Sequence, residues 1–125
     1  MPGGFIASGS CDSTIKIWNM ESGECVKTLK GHLSYVWRLL LLENGELISC
    51  SDDSTIKMWD LGKNKCVRTL TGHTKLVRAI KMSPSGALVS GSEDGTIKTW
   101  DLETGQCVNT LNGHKFSAIE DLLLM

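Results

Sequence analysis

Apolar residues along this chain fall in short runs divided by turn residues, and the best-defined set lies in the middle. Residues 35–42 (YVWRLLLL) are an almost unbroken apolar and aromatic run, short enough for a buried strand. Glu43, Asn44 and Gly45 read as a turn, and 47–51 (LISCS) as the next strand. Asp52, Asp53 and Ser54 turn tightly into 55–59 (TIKMW), where alternation places Ile56 and Met58 on one face and Lys57 on the other. A further turn over 61–65 leads to 66–70 (CVRTL), and Gly72-His73 opens the next run. Four short strands at spacings of about 10 residues predict an all-β fold with no helix required.

This set is one copy of a repeat. Trp18, Trp59 and Trp100 are followed by Asn19, Asp60 and Asp101 at steps of 41 residues. Gly31-His32, Gly72-His73 and Gly113-His114 keep that step, as do the three Thr-Ile-Lys and the three Cys-Val strings. Self-similarity with a period of roughly 40 to 45 residues and Gly-His and Trp-Asp signatures is the mark of a four-stranded propeller blade. The chain resembles the WD40-repeat family over essentially its whole length. The resemblance implies strands a to d from the inside of each blade outwards, with Gly-His between d and a and Trp-Asp at the end of c. On that phasing Pro2-Gly3-Gly4 aligns with the a-to-b turn Pro84-Ser85-Gly86. The expected fold is half a WD40-type β-propeller in one domain, 1–125, with strand order bcd-abcd-abcd-a. It divides into a partial blade at 1–32, blades at 33–73 and 74–114, and a lone inner strand at 115–125.

Propellers close with roughly four to eight blades, so three blades leave two ends open. Each open face would expose on the order of 500 Å², up to roughly 12 kcal/mol at about 25 cal/mol/Å². A whole domain is stable by only about 5 to 15 kcal/mol. The expectation is a homodimer closed head to tail into six blades, each C-terminal strand completing the other chain's first sheet. The alternative is a structural building block or a fragment of a longer WD40 protein, such as an adaptor or substrate-recognition subunit, with no ligand of its own. Strict phasing would set Asp121 at an apolar inner position. A slip of one residue, with a bulge near 115–117, sets Ile119, Leu122 and Leu124 there instead.

Histidine, serine and aspartate recur together, but identical sets in adjacent blades are not the single asymmetric cluster that catalysis needs. The family resemblance implies a hydrogen-bonded tetrad per blade: His32, Ser49, Asp53 and Trp59, then His73, Ser90, Asp94 and Trp100, with Ser51 and Ser92 as alternative hydroxyls. The chemistry is complementary, since Trp only donates, hydroxyl and neutral His do both, and Asp accepts. Ser8, Asp12 and Trp18 lack an upstream histidine, and His114 lacks a downstream tryptophan, so a neighbouring chain's His114 would complete the set. No enzyme activity, cofactor or metal is expected.

The expected function is a non-catalytic protein–protein interaction scaffold. Family resemblance places partner contacts on the face of the d-to-a and b-to-c loops, at Tyr35, Trp37, Leu76, Arg78, Asp52 and Glu93, with Ser117, Ile119 and Cys11 at equivalent positions. Aromatic and arginine side chains beside carboxylates suit a hot spot for a peptide or protein. Tyr35 and Trp37 are alternatively channel plugs. Thirteen basic against fourteen acidic residues give a net charge of −1, which argues against nucleic acid as partner. No apolar run approaches the roughly 18 residues of a membrane span, nor is there a leader pattern, so a soluble protein of the cytoplasm, or alternatively the nucleus, is expected. The five cysteines include no Cys-x-x-Cys pair and read as reduced thiols packed as small hydrophobes. Lys16, Lys57 and Lys98 read as solvated outer faces.

Overall fold

The computed structural model describes residues 4–10, 12–42 and 45–112. These form eleven strands: β1 (Phe5–Gly9), β2 (Thr14–Asn19), β3 (Cys25–Lys30), β4 (Val36–Leu41), β5 (Leu47–Ser51), β6 (Ile56–Asp60), β7 (Lys65–Leu70), β8 (Val77–Met82), β9 (Leu88–Ser92), β10 (Ile97–Asp101) and β11 (Gln106–Leu111). They pair antiparallel in three sheets, β1-β2-β3, β4-β5-β6-β7 and β8-β9-β10-β11. Each is a meander in which consecutive strands are neighbours, as short turns between alternating segments require. The lone inner strand, its slipped register and His114 lie outside the described residues.

The core sits between sheets, not within them. Ile15, Ile17 and Leu29 of the first blade meet Val36, Leu47, Trp59 and Leu61 of the second. Ile48, Cys50, Ile56, Met58 and Leu70 of the second meet Val77, Ile80, Leu88 and Trp100 of the third. Period-two alternation in β6 thus feeds both interfaces, with Ile56 and Met58 turned one way and Trp59 the other. Stability in such an array is close to a sum of blade and interface contributions.

Bulges set where special side chains stand. In β4 the pairing passes from Val36 opposite Ser51 to Arg38 opposite Cys50, leaving Trp37 outside the ladder. In β8 it passes from Val77 opposite Ser92 to Ala79 opposite Gly91, leaving Arg78 outside in the same way. A second set precedes each repeat tryptophan and leaves Val26, Val67 and Val108 unpaired on the outer strands. A bulge re-aims a side chain, and here the first set frees Trp37 and Arg78 from their ladders, where the two side chains meet.

The outer surface differs from the sequence reading in two respects. Of the three repeat cysteines, each on the outermost strand of its blade, Cys25 and Cys107 are exposed, while Cys66 is half-buried against the core between the first two blades; among the described cysteines only Cys50 is buried. The repeat lysines are half-buried instead of solvated, because Lys57 and Lys98 each donate to a threonine of the next strand, Thr69 and Thr110, at 3.0 Å. Lys16 makes the same reach to Thr28 at 3.4 Å.

Candidate functional site

The residues expected to carry function gather in two constellations, one buried and one exposed. The buried one is built where strand b, strand c and the loop before strand a converge. Trp59 Nε1 donates to Ser49 Oγ at 2.8 Å, His32 Nε2 lies 2.6 Å from the same hydroxyl, and His32 Nδ1 lies 2.9 Å from Asp53 Oδ2. Trp100, Ser90, His73 and Asp94 repeat this at 2.8, 2.7 and 2.9 Å. Since Trp can only donate, the hydroxyl passes its own proton to His Nε2, and the ring carries its hydrogen on Nδ1, facing the carboxylate. Ser51 and Ser92 do not join: their hydroxyls donate to the backbone oxygens of Ser34 and Leu76, which tie strand b to the loop.

Thr55 and Thr96 belong to the network and were not anticipated. Each hydroxyl donates to its aspartate Oδ1 at 2.5 Å, as Thr14 does to Asp12 at 2.6 Å. An aspartate two residues before a threonine at the strand entrance was the available signal. Gly31 and Gly72 are required by close approach: an added Cβ would lie 2.8 Å from Trp59 Cη2 and 3.1 Å from Trp100 Cη2.

The electrostatics suit neutral histidines. Burial lowers the His32 and His73 pKa values from the usual 6.5, outweighing the opposing pull of Asp53 and Asp94. Burial pushes the aspartates up, but hydrogen bonds from Thr55, the Leu33 N–H and His32 hold Asp53 below the usual 3.8. The matching set around Asp94 brings it down to about 2. In the first blade Trp18 Nε1 donates to Ser8 Oγ at 2.9 Å, and both described histidines are engaged elsewhere. Among the described residues no group of three or more His, Cys, Asp or Glu is placed to hold a metal.

The exposed constellation joins the second and third blades. The Arg78 guanidinium stands 4.8 Å from the centroid of the Trp37 ring, Trp37 Nε1 donates to Asp52, and Arg78 pairs with Glu93 at 3.3 Å. Tyr35 leans on Trp37 with centroids 6.4 Å apart at 49°. Trp37 remains 42% exposed and Tyr35 50%, so neither is sealed as a plug among the described residues. Five of the six expected contact residues therefore form one connected patch. Leu76 is half-buried beside it, with its backbone oxygen accepting from Glu93 N. Cys11, Ser117 and Ile119 lie outside the described residues.

The family model described as WD domain, G-beta repeat, matches the chain three times, at residues 2–19, 23–60 and 64–101. The chain belongs to the WD40 family. A crystal structure of the WD40 beta propeller domain of Doa1 superposes with a TM-score of 0.89 at 33% identity, over 98% of this chain and 40% of that one. Among curated sequences, an uncharacterized WD repeat-containing protein of Schizosaccharomyces pombe is 58% identical over 43 residues, 34% of this chain and 12% of its own length. Nuclear distribution protein PAC1 of Mycosarcoma maydis is 50% identical over 46 residues, 37% of this chain and 10% of its own. The matches thus span about a tenth of these curated relatives and well under half of the solved propeller. WD40 propellers are generally non-catalytic, and the chain is an all-β WD40 propeller-like array of this kind.

Proposed function

We propose that this WD40 chain is a non-catalytic scaffold that binds a peptide or protein at the Tyr35–Trp37–Arg78 patch. The observation that carries this is the pair of bulges: equivalent positions in adjacent blades hold Trp37 and Arg78 outside their ladders, stacked on one another and half-open to solvent. A rigid aromatic with an arginine and two carboxylates at its rim is the composition of interface hot spots. Binding of a peptide array by the wild type, lost by about tenfold or more in Trp37→Ala and Arg78→Ala with the fold retained, is the expected result. Specific binding that ignores both changes would refute the assignment.

The scaffold is completed by a second copy joined head to tail. What supports this is exposure at the two ends of the array, measured against its own repeats. Ile6 is 51% exposed where Leu47 and Leu88, its equivalents, are 2% and 0%. At the other end Leu111 is 50% exposed where Leu29 and Leu70 are each 1%. These two faces are of the kinds that meet inside the chain. A second reading, that blades of a longer WD40 protein cover them, is favoured by the 40% share of the solved propeller that this chain spans. Light scattering separates the two: a stable, folded monomer at micromolar concentration would exclude the two-chain ring.

A further inference from the structure

The inner edge of β1 differs from its counterparts. β5 and β9 each have an inner neighbour, β4 and β8, whereas β1 is paired among the described residues only on its β2 side. The consequence shows in the packing beside it. Between the second and third blades, Leu40 of the inner strand and Leu42 just past it pack onto the interface core and, with Met82 and Leu102, line a cleft of about 600 Å³. Between the first and second blades nothing described occupies the equivalent place. A cleft of about 240 Å³ lies there, lined by Phe5, Ala7, Leu39, Leu41, Leu47 and Leu61. Next to Ala7 along β1 stands the half-buried Ser8, whose hydroxyl meets Trp18 but no histidine among the described residues.

The repeat geometry specifies what would fit. In both complete blades the inner strand runs antiparallel to strand b, with Arg38, Leu39, Leu40 and Leu41 opposite Cys50, Ser49, Ile48 and Leu47. Moved back by one repeat of 41 residues, those partners become Gly9, Ser8, Ala7 and Ile6. The third blade holds Ala79, Ile80, Lys81 and Met82 at these places, so the incoming strand must present an apolar residue opposite Ser8 and another opposite Ile6, and must follow a histidine that can reach Ser8 and Asp12. Residues 114–125 (HKFSAIEDLLLM) carry that string in sequence: a histidine, then Asp121, Leu122, Leu123 and Leu124 in the slipped register. In that register Leu123 would take the role of Leu40 at the apolar cleft, and Asp121 that of Arg38, which is exposed. Ser10 O already accepts from Val36 N–H at 3.1 Å, so the new ladder begins at Gly9.

We infer that the inner edge of β1, with Ser8, Asp12 and the Phe5–Leu41 cleft, is a strand-docking site for segment 114–125 of a second copy of this chain. The inference rests on the two-chain reading above and adds its register and its histidine. Backbone pairing supplies general affinity, and the cleft and the hydroxyl–carboxylate pair supply selectivity. The His114 ring donates from Nδ1 to Asp12 and accepts from Ser8 Oγ, as His32 and His73 do in their own blades.

The test uses the full chain. Analytical ultracentrifugation gives the dissociation constant of wild type, His114→Ala and Leu123→Asp, and amide hydrogen exchange reads protection along β1. The expected result is a particle of twice the chain mass, slow exchange at the inward amides of β1, and weakening of association by about tenfold or more in each variant. A dimer whose β1 amides exchange freely and whose affinity ignores both substitutions would overturn the strand-docking site while leaving two-chain closure standing. A monomer at all concentrations would overturn both.

Discussion

At the residue scale the tetrads make the strongest demands. Ser49 is the hinge of its set, because its one hydroxyl serves both Trp59 and His32. Ser49→Ala leaves two buried polar atoms unpaired and is expected to cost about 2 to 4 kcal/mol in urea unfolding, against about 1 kcal/mol for Ser51→Ala. Equal costs would contradict the hub role. The pH dependence follows from the same groups. Because burial holds His32 and His73 below 6.5, the unfolded chain takes up their protons first as pH falls. Their contribution is complete above 6.5 and is lost as pH drops from there toward their folded values. A further loss follows below 3.8, with Asp94 held to about 2. Urea midpoints that are level from pH 7 to 8 and decline below about 6.5 are expected. A midpoint that rises between pH 7 and 5 would rule this out. The four tetrad types were legible because each copy repeats them in phase. Thr55 was not, since a threonine at a strand entrance looks like β propensity until its hydroxyl is seen on Asp53.

At the element scale the strand positions were readable to within about a residue, because alternation and turn residues agree. Register within the sheets was not. The bulges at Trp37 and Arg78 leave no mark in the hydrophobic pattern, since an extra residue in one strand is defined only by its partner. The exposed cysteines and half-buried lysines were misjudged for a related reason. Residue type suggested burial for one and solvent for the other, while the edge strand decides both. Links between blades were likewise invisible. Lys27 Nζ donates to Leu61 O, and Arg68, one repeat on, donates to Glu103 O at 2.9 Å. Each reaches from the outer strand of one blade to the c-to-d turn of the next. Gly105 makes room for the second, since an added Cβ would lie 2.7 Å from Arg68 Nη1. Gly23, its equivalent in the first blade, has a similar φ of +72° and open space around it. Gly23→Ala is therefore expected to cost only left-handed strain, about 1 kcal/mol, and Gly105→Ala more, through loss of the Arg68 link. Arg68→Ala should remove that difference. If the two glycine variants unfold at the same urea concentration, the link contributes nothing.

At the scale of the whole molecule the array is a stack of wedges whose interfaces hold the core. Interior positions are sealed at 0–1% exposure, as at Ile15, Leu29, Ile56 and Leu70, and matching residues at the ends are not. Trp18 shows the same contrast, half-buried where Trp59 and Trp100 are 1% exposed. If chains cover one another's ends, folding is linked to association and the melting temperature must rise with chain concentration. Calorimetry from about 1 to 100 μM is expected to show that rise for the wild type. Leu111→Lys should suppress it, because a charge replaces an apolar group at the joint while the interior interfaces are untouched. Leu29→Ala should lower the melting temperature at every concentration yet preserve the slope, since its cavity, worth about 2 to 5 kcal/mol, lies inside the chain. A melting temperature that is independent of concentration in the wild type would break the link between the exposed ends and assembly, and the two-chain ring would fall with it.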